Sequence, residues 1–457
     1  MPKILPLSLL LALLPALPAC KQTTFKFPSL PKLSFKKKSD PADPAAKPAE
    51  DAAKPAEDAA KPASADAKPA VPTSLSPEET AFLEKCATLG KAGGTIAGLD
   101  GWNFSSAELQ RLAQLKDPNA PSVRDATEAI LDFRNSLKRK GIELILVPVP
   151  PKVIVFPDKL SKDLKVKGWG RKPGRLDSTL QTIYSNLASK GVKVVDPTAA
   201  LLSSREDRKS GPIFPRTASV WSPRGAEVTA SLIANNIKGA KWANQPGKDG
   251  PLITEATSVT YTGPLLSGTA AAETLAVRNI GRSSDGKMRS VTFSTGGHPL
   301  TLIGDASLLA WREANNPAGS TGTFASLADQ LAFELQTTPD LFPSKTDGRN
   351  ASRLRILRDI SNGRDPLSDS KTLVWVVQGT DFALSDWQNV PLAVATRASA
   401  PRSNASSIPT FQDPPVSLIP DRSSPPIAPP APSPEAPAPD APSPVSNGEP
   451  ALPELPR

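Results

Sequence analysis

The sequence predicts an α/β fold built on a parallel β-sheet. Residues 142–149 form a near-continuous apolar run that directly follows a helical pattern, and a helix followed by a strand recurs at residues 176–195. An apolar run without polar alternation is typical of a strand that is buried on both faces, as in a parallel sheet. The repeated order of helix and strand therefore predicts a doubly wound sheet with right-handed crossovers.

Helix-start and helix-stop residues define the elements of the amino-terminal half. Ser76 followed by Pro77 is a helix-start signal, because Ser caps a helix well and Pro suits its first turn. Ser122 is the expected cap of the helix before the first apolar run, and Gly141 is its expected stop. Gly191 is expected to end the next helix in the same way.

The carboxyl-terminal half repeats the strand-then-helix pattern after one interruption. Ser222 and Pro223 open a helix with apolar residues at helical spacing. Residues 242–297 are rich in Thr, Ser and Gly, which predicts antiparallel hairpins and loops. The remaining predicted elements are a strand at residues 299–303, a helix through Trp311, a helix at residues 324–335 and a strand at residues 373–377.

The length and the distribution of proline indicate one folded domain between two unstructured ends. The chain has 457 residues and 52 prolines, and the prolines crowd into the two ends. Residues 73–398 have ordinary globular composition, and a segment of this length can bury about three-quarters of its unfolded surface. We therefore predict a single domain there, and disorder for the Pro-, Ala- and Ser-rich residues 399–457.

The first 72 residues have the composition of an export signal followed by a spacer. Residues 1–19 combine a positive start with a short apolar run, and the sequence ending at Cys20 resembles the lipid-attachment site of bacterial lipoproteins. A lipid on Cys20 followed by Lys21 favours the outer membrane; the alternative is an ordinary signal peptide with a chance cysteine. Residues 20–72 contain a seven-residue repeat with Pro in every unit, which predicts an extended tether rather than a coiled coil.

The formal net charge of +9 does not by itself indicate a nucleic-acid-binding protein. The Lys and Arg residues are scattered, only two Tyr are present, and no nucleic-acid-binding motif is found. A charge excess of this kind suits a solvated surface or an anionic partner. The sequence also shows no metal-binding cluster, P-loop or dinucleotide motif, so we expect no cofactor. With Cys20 assigned to a lipid, Cys86 is expected to be a buried thiol.

Short motifs near the ends of the predicted strands carry a family resemblance. Gly-Leu-Asp-Gly-Trp-Asn-Phe stands at residues 98–104, Pro-Val-Pro-Pro-Lys at residues 148–152 and Phe-Pro-Asp at residues 156–158. Phe-Pro-Arg-Thr-Ala-Ser-Val-Trp-Ser-Pro-Arg-Gly follows at residues 214–225, and Gly-Asp-Ala at residues 304–306. In this order they resemble the periplasmic alginate O-acetyltransferase family, the J- and X-type proteins. The resemblance implies an SGNH-hydrolase-like (flavodoxin-like) doubly wound domain.

The resemblance implies an acetyl-transfer site but places apolar residues at its catalytic positions. In the family, an Asp and a His of the 214–225 motif serve a Ser nucleophile that follows Gly-Asp. The corresponding positions of this sequence are Ala218, Val220 and Ala306. Because Ser-dependent acyl transfer needs a hydroxyl, a base and oxyanion donors, the three replacements predict that this chemistry is lost.

Three nearby polar residues are the alternatives for a rearranged site. Ser307 is one position beyond the family's nucleophile, but one step along a turn points its side chain elsewhere. Asp305 matches the family's Asp, and its other expected role is to cap the following helix. His298 lies at the far end of the strand at residues 299–303, so we expect a surface or loop histidine there. The sequence therefore assigns no catalytic residue.

The resemblance also suggests a ligand groove lined by Trp102, Lys152, Arg216 and Trp221. Trp faces stack on sugar rings, and Arg or Lys side chains pair with uronate carboxylates. For Trp221 the alternative is core packing, and for Lys152 it is a solvated loop lysine.

Together these observations predict a lipid-anchored outer-membrane protein that faces the periplasm and carries a degenerate alginate O-acetyltransferase-like domain. Its expected role is to bind or present an anionic, alginate-like exopolysaccharide, or to assist an acetyl-transfer membrane complex. The alternatives are an active O-acetyltransferase or acetylesterase with a rearranged site, and a structural envelope protein that uses its Pro-rich ends as tethers.

Overall fold

The computed structural model of the chain describes residues 74–164, 174–205, 211–244, 250–267, 271–312, 323–345 and 347–392. In these ranges the helices are α1 (Pro77–Gly90), α2 (Ser106–Gln114), α3 (Pro121–Arg139), α4 (Lys152–Val155), α5 (Ser178–Ser189), α6 (Thr198–Ser204), α7 (Pro223–Ile237), α8 (Leu327–Leu335) and α9 (Ala351–Ser361). The strands are β1 (Thr95–Ala97), β2 (Asn103–Ser105), β3 (Glu143–Val149), β4 (Lys193–Val194), β5 (Leu252–Tyr261), β6 (Glu273–Ser284), β7 (Lys287–Ser290), β8 (Leu300–Gly304), β9 (Asp340–Pro343) and β10 (Thr372–Gln378).

Five parallel strands form the central sheet in the order β4-β3-β10-β8-β9. β10 lies in the middle, with Val374 opposite Ile145 of β3 on one side and opposite Leu302 of β8 on the other. Six of the seven residues of β3 are buried, and the same is true of β10. The predicted α/β class with a parallel sheet is therefore confirmed, and the continuous apolar runs occupy its centre.

The strand order differs in one respect from the flavodoxin-like order that the resemblance implies. Counted in chain order, the five parallel strands lie 2-1-5-3-4, whereas flavodoxin-like sheets have the order 2-1-3-4-5. The last strand, β10, is inserted beside β3. Its apolar run suits burial on both faces, whereas β9 is a four-residue edge strand that ends in Pro343, and Pro is tolerated at sheet edges.

Local capping explains where the flanking helices begin. The side chains of Ser76 and Ser222 accept hydrogen bonds from the backbone N–H groups three residues on, at the starts of α1 and α7, as predicted. The prediction of Ser122 as the cap of α3 is wrong. That helix begins at Pro121, because Pro suits the first helical position, and Ala120 precedes it without a side-chain cap.

A three-stranded antiparallel sheet, in the order β5-β6-β7, lies between β4 and β8 along the chain. β5 and β6 form a long hairpin, paired from Leu252 opposite Arg282 to Tyr261 opposite Glu273. β5 is an edge strand whose residues 253–258 are all exposed. The antiparallel hairpin that the Thr-, Ser- and Gly-rich composition predicts is confirmed.

The predicted helix through Trp311 does not form. After β8 the chain makes a single 3₁₀ turn at Ala306–Leu308, which Asp305 caps. Trp311 then adopts a left-handed backbone conformation with a φ of 71°, which a right-handed helix does not contain. Its side chain is fully buried, so tertiary packing rather than helix propensity determines this backbone conformation.

The predicted signal peptide, Cys20, the tether at residues 20–72 and the tail at residues 399–457 lie outside the described residues. Within the ranges that the structure covers, no helix combines the length and the apolar character needed to cross a bilayer. Cys86 is a free thiol in the core, as expected, and its burial raises its pKa.

Candidate functional site

The motif loop, residues 211–222, lies directly before α7 and keeps the family's Ser-Pro-x-Gly frame for a structural reason. A Cβ at Gly225 would lie 2.4 Å from the carbonyl oxygen of Ile213, so only Gly fits at this position. The same carbonyl accepts the N–H of Ser222 at 2.9 Å. The retained residues therefore hold the loop against the start of α7.

Ala218 and Val220, at the positions where the resemblance implies an Asp and a His, lie at an apolar cluster. Ala218 is 1% exposed and belongs to a cluster that includes Tyr261, Leu275 and Trp311. Val220 packs against the same cluster. Because β5 and β6 contribute Tyr261 and Leu275, the antiparallel sheet covers the motif loop. Neither Ala218 nor Val220 can take or give a proton.

Ala306, where the resemblance implies the nucleophile, lies in the turn after β8. The next residue, Ser307, donates its hydroxyl to Oδ1 of Asp305, and its backbone N–H donates to the same oxygen at 2.9 Å. The other oxygen of Asp305 accepts a hydrogen bond from Nε2 of Gln378 at 2.7 Å. The structure thus brings Asp305 and Ser307 together, but Ser307 is only 3% exposed. Its hydroxyl is part of a buried cap.

Lys152 lies buried beneath the motif loop. Its Nζ donates to the carbonyl oxygens of Asn103, Arg216 and Ala218 at 2.7, 2.7 and 3.0 Å. Burial lowers the pKa of Lys152 to about 7, and nearby carboxylates oppose this effect. Three carbonyl acceptors need three N–H donors, which only the ammonium form has. Since the backbone takes all three, Lys152 fixes the motif loop and has no donor left for a ligand.

Glu108 also belongs to this region, although its local sequence gives no signal for a role there. Its Oε1 accepts the backbone N–H of Lys152 at 2.6 Å, and its side chain is hydrogen-bonded to Ser219 in the motif loop. Burial raises the pKa of Glu108, opposed by the Ser219 hydrogen bond and the Lys152 charge. Glu108 stands three residues after Ser105, which caps α2, so the local sequence indicates only a capping box.

Of the four residues expected to line a ligand groove, only Arg216 has an exposed side chain. Trp221 is fully buried, and Trp102 is 7% exposed, with its ring centroid 4.1 Å from that of Phe156. The faces of both Trp rings are therefore packed on protein. This corrects the expectation that they stack on sugar rings, and the burial of Trp221 supports its alternative role in the core.

The carboxyl end of the sheet also carries a buried carboxylate. Asp381 follows β10; its Oδ2 accepts the N–H of Gln378 at 3.3 Å, and its Oδ1 is 3.9 Å from Arg111. Burial raises the pKa of Asp381 to about 6; the charge of Arg349 opposes this rise and that of Asp305 adds to it. An acid that titrates near neutral pH is common in active sites, but here it costs stability when it ionises.

We expect Asp381→Asn to stabilise the protein at pH 7 and not at pH 4. The folded-state pKa of about 6 lies above the ordinary value of 3.8. The folded state therefore binds the extra proton, and stability present below pH 4 is lost as pH rises through 6. A neutral Asn avoids this loss, which is about 3 kcal/mol at pH 7. Urea unfolding of the unaltered protein and the variant at pH 4 and pH 7 measures this difference in the free energy of unfolding.

The matched control is Asp386→Asn. Asp386 is paired with Arg349, whose hydrogen bond lowers the pKa of Asp386, so this variant should lose stability at pH 7. A gain from Asp381→Asn that is equal at pH 4 and pH 7 would contradict the titration.

His298 belongs to a hydrogen-bonded cluster at the opposite, amino-terminal end of the sheet. Its Nδ1 lies 2.8 Å from Oδ1 of Asp340 and 2.9 Å from Oγ of Ser294, which donates to the same Asp340 oxygen at 2.6 Å. In a Ser-His-Asp triad the Ser and the Asp contact different ring nitrogens, whereas here both contact Nδ1. The cluster ties β8 to β9. In the described ranges, no three His, Cys, Asp or Glu side chains are grouped to hold a metal ion.

Comparisons with a family model and with known sequences point to the same group of proteins. A family model described as "SGNH hydrolase-like domain, acetyltransferase AlgX" matches residues 95–306, which include positions 218, 220 and 306. The probable alginate O-acetylase AlgJ of Pseudomonas aeruginosa is 26% identical over 157 residues, 34% of this chain and 36% of that protein. AlgJ of Pseudomonas syringae pv. tomato is 28% identical over 164 residues, 36% of this chain and 38% of that protein. The match spans little more than a third of these relatives.

Solved structures of two related proteins resemble the chain as well. The O-acetyltransferase domain of Pseudomonas putida AlgJ has a TM-score of 0.46 and 22% identity, and the match covers 64% of this chain and 92% of that one. AlgX of Pseudomonas aeruginosa has a TM-score of 0.45 and 18% identity, with 66% of this chain and 67% of that one covered.

Proposed function

We propose that this chain of the AlgJ/AlgX acetyltransferase family has a non-catalytic, polysaccharide-binding function. Its residues 95–306 match the family model of an SGNH hydrolase-like domain. It binds or presents an anionic exopolysaccharide, or assists an acetyl-transferring partner. One observation carries this proposal: Ala218 and Val220 pack at an apolar cluster, and Ala306 stands at the position of the nucleophile.

Acyl transfer through a serine needs an accessible hydroxyl, a base and N–H donors for the oxyanion. The two serine hydroxyls that adjoin the family's catalytic positions are already engaged, Ser307 with Asp305 and Ser219 with Glu108. Within the described residues neither hydroxyl has a histidine partner, because His298 lies at the other end of the sheet. These contacts stabilise the fold and do not assemble a catalytic site.

The charge of the chain and the names of its relatives indicate the chemistry of the partner. The chain carries a formal net charge of +9, and Arg216 is exposed on the motif loop. The curated relatives are named as alginate O-acetylases, and alginate is a polymer of carboxylate-bearing sugars. A cationic domain related to them is suited to an alginate-like polyanion.

We also propose a location for the protein. A lipid on Cys20 would anchor the chain in the outer membrane with the domain facing the periplasm, and residues 20–72 would act as the tether. An acetyl-transfer complex in the membrane is then within reach as a partner. No nucleic acid has a role in this function.

An active enzyme with a rearranged site is the second candidate. The hydrogen bond between Ser307 and Asp305 favours it, and the 3% exposure of Ser307 opposes it. A structural envelope protein that acts through its Pro-rich ends is a third candidate, in which the tails alone carry the function.

The test is acetyl turnover by the full chain, with a chromogenic acetyl ester and acetylated polyuronate as substrates. We expect no rate above buffer for either one. A rate that disappears in Ser307→Ala but persists in Ser361→Ala, an exposed serine on α9, would overturn the proposal and show that the site is rebuilt one residue along.

A further inference from the structure

The amino-terminal end of the central sheet is rich in basic side chains. Lys138 lies in the last turn of α3, and Lys190 directly follows α5. Lys193 lies on β4 beside β3, and Lys371 precedes β10, where its carbonyl accepts the N–H of Glu143 at 2.9 Å. Because the parallel strands begin at this end, these cations share one face, which lies at the opposite end of the sheet from the motif loop.

An open cleft of about 210 Å³ lies in this face. Its lining carries three cations, Arg134, Lys138 and Lys193, and one carboxylate, Glu143. Arg134 and Lys138 are four residues apart on α3, so they project from the same side of the helix. The cleft therefore presents a net positive charge.

Two of these cations are available to a ligand. Lys193 is engaged, since its Nζ lies 3.3 Å from Oε1 of Glu143 and donates to the carbonyl of Asn236 at 2.8 Å. The Arg134 guanidinium donates to the side-chain oxygen of Asn135 at 3.0 Å. Over the part of the chain that the structure covers, no carboxylate lies within ion-pair distance of Arg134 or Lys138.

Gly191 leaves room for the Arg134 guanidinium at the cleft. The backbone of Gly191 has a φ of 86°, and a Cβ there would lie 2.6 Å from a terminal nitrogen of Arg134. Any side chain at residue 191 would displace the guanidinium. The loop between α5 and β4 thus accommodates Arg134 closely.

The helix dipole explains only part of this arrangement. A Lys in the last turn of α3 is stabilised by the partial negative charge of the helix carboxyl terminus. Arg134 lies before that turn and Lys193 lies on a strand, so neither is placed at the end of α3. The helix dipole also does not explain the close contact between Arg134 and Gly191. These features indicate a cleft that suits an anionic group.

We propose that this cleft binds carboxylate groups of an anionic polysaccharide. The inference rests on the proposed function and places the ligand at the amino-terminal end of the sheet, away from the motif loop. The planar fork of Arg134 matches a carboxylate, and Lys138, one turn along, contacts the next one. A membrane surface suits the cleft less well. Among the described residues, the exposed large apolar side chains are Ile253 and Leu266, which belong to β5 and the loop after it.

The test is calorimetric titration of the full chain with alginate oligosaccharides, at low salt and at physiological salt. Arg134→Gln combined with Lys138→Gln is expected to weaken binding about tenfold, through the loss of two charge-assisted contacts. The matched control, Lys116→Gln combined with Arg124→Gln, removes the same charge at two exposed positions near the start of α3 and should change affinity less than about twofold. Gly191→Ala keeps every charge but displaces the guanidinium, and is expected to weaken binding about threefold.

Thermal unfolding of each variant verifies that it is folded. Equal weakening by the two double variants would mean that net charge alone attracts the polymer. That result would overturn the proposal that the cleft is the binding site. Tighter binding of polyphosphate than of alginate of equal charge would refute the carboxylate assignment. If Arg216→Gln weakens binding while the cleft variant binds normally, the placement fails but the proposed function stands. If the unaltered chain does not bind alginate, both fail.

Discussion

Trp311→Ala is expected to lower the free energy of unfolding by about 4 kcal/mol, the range in which removing a buried Trp ring falls. Trp311 is fully buried in the cluster that covers Ala218, and its ring packs edge-on to Tyr261 with centroids 5.0 Å apart. Its Nε1 also donates to the carbonyl of Trp221 at 2.7 Å. Denaturant unfolding measures the loss.

The left-handed backbone of Trp311 provides an internal control. Trp311→Gly leaves the same cavity, but Gly adopts a φ of 71° without strain. The Gly variant should therefore be about 1 kcal/mol more stable than the Ala variant. Inside α7 the order should reverse, with Val228→Gly less stable than Val228→Ala by about 1 kcal/mol. The same order at both positions would contradict the backbone described for Trp311.

Lys152→Met is expected to lower the free energy of unfolding by about 3 kcal/mol. The substitution removes three charge-assisted hydrogen bonds, from Nζ to the carbonyls of Asn103, Arg216 and Ala218. The relief of burying an ammonium group offsets part of this loss. These bonds join the motif loop to β2 and to α4, which begins at Lys152. Hydrogen exchange at residues 216–220 should therefore accelerate as well.

Lys116→Met is the matched control for Lys152→Met. Lys116 is exposed, so its replacement should change stability by less than about 0.5 kcal/mol. A loss below about 1 kcal/mol for Lys152→Met would show that the ammonium group is not a structural link.

The elements that follow from neighbouring residues were predictable. The buried strands β3 and β10 are continuous apolar runs, and α7 begins where Ser222 and Pro223 indicate. The backbone of Trp311 was not predictable in this way, since helical spacing suggested a helix and only the surrounding cluster imposes the turn. The place of β10 between β3 and β8 likewise depends on which strand is best buried, which is a property of the whole sheet.

In the candidate site, too, some residues reveal their role in the sequence and others do not. The apolar residues Ala218, Val220 and Ala306 are visible in the sequence once the motif is aligned with its family. The role of Lys152 is not visible, because its partners are backbone carbonyls 49 to 66 residues away. Glu108 is concealed in another way, since its local pattern already has a sufficient explanation as a helix cap.

The central position of β10 determines when the fold can be completed during synthesis. β3 is joined to β10 along its whole length, and the two strands are about 230 residues apart in sequence. Its other neighbour, β4, pairs with only two of its residues. Contacts between such distant segments slow folding, and apolar strands that wait for a partner promote aggregation. During synthesis β3 therefore lacks its main partner until almost the entire domain has been made.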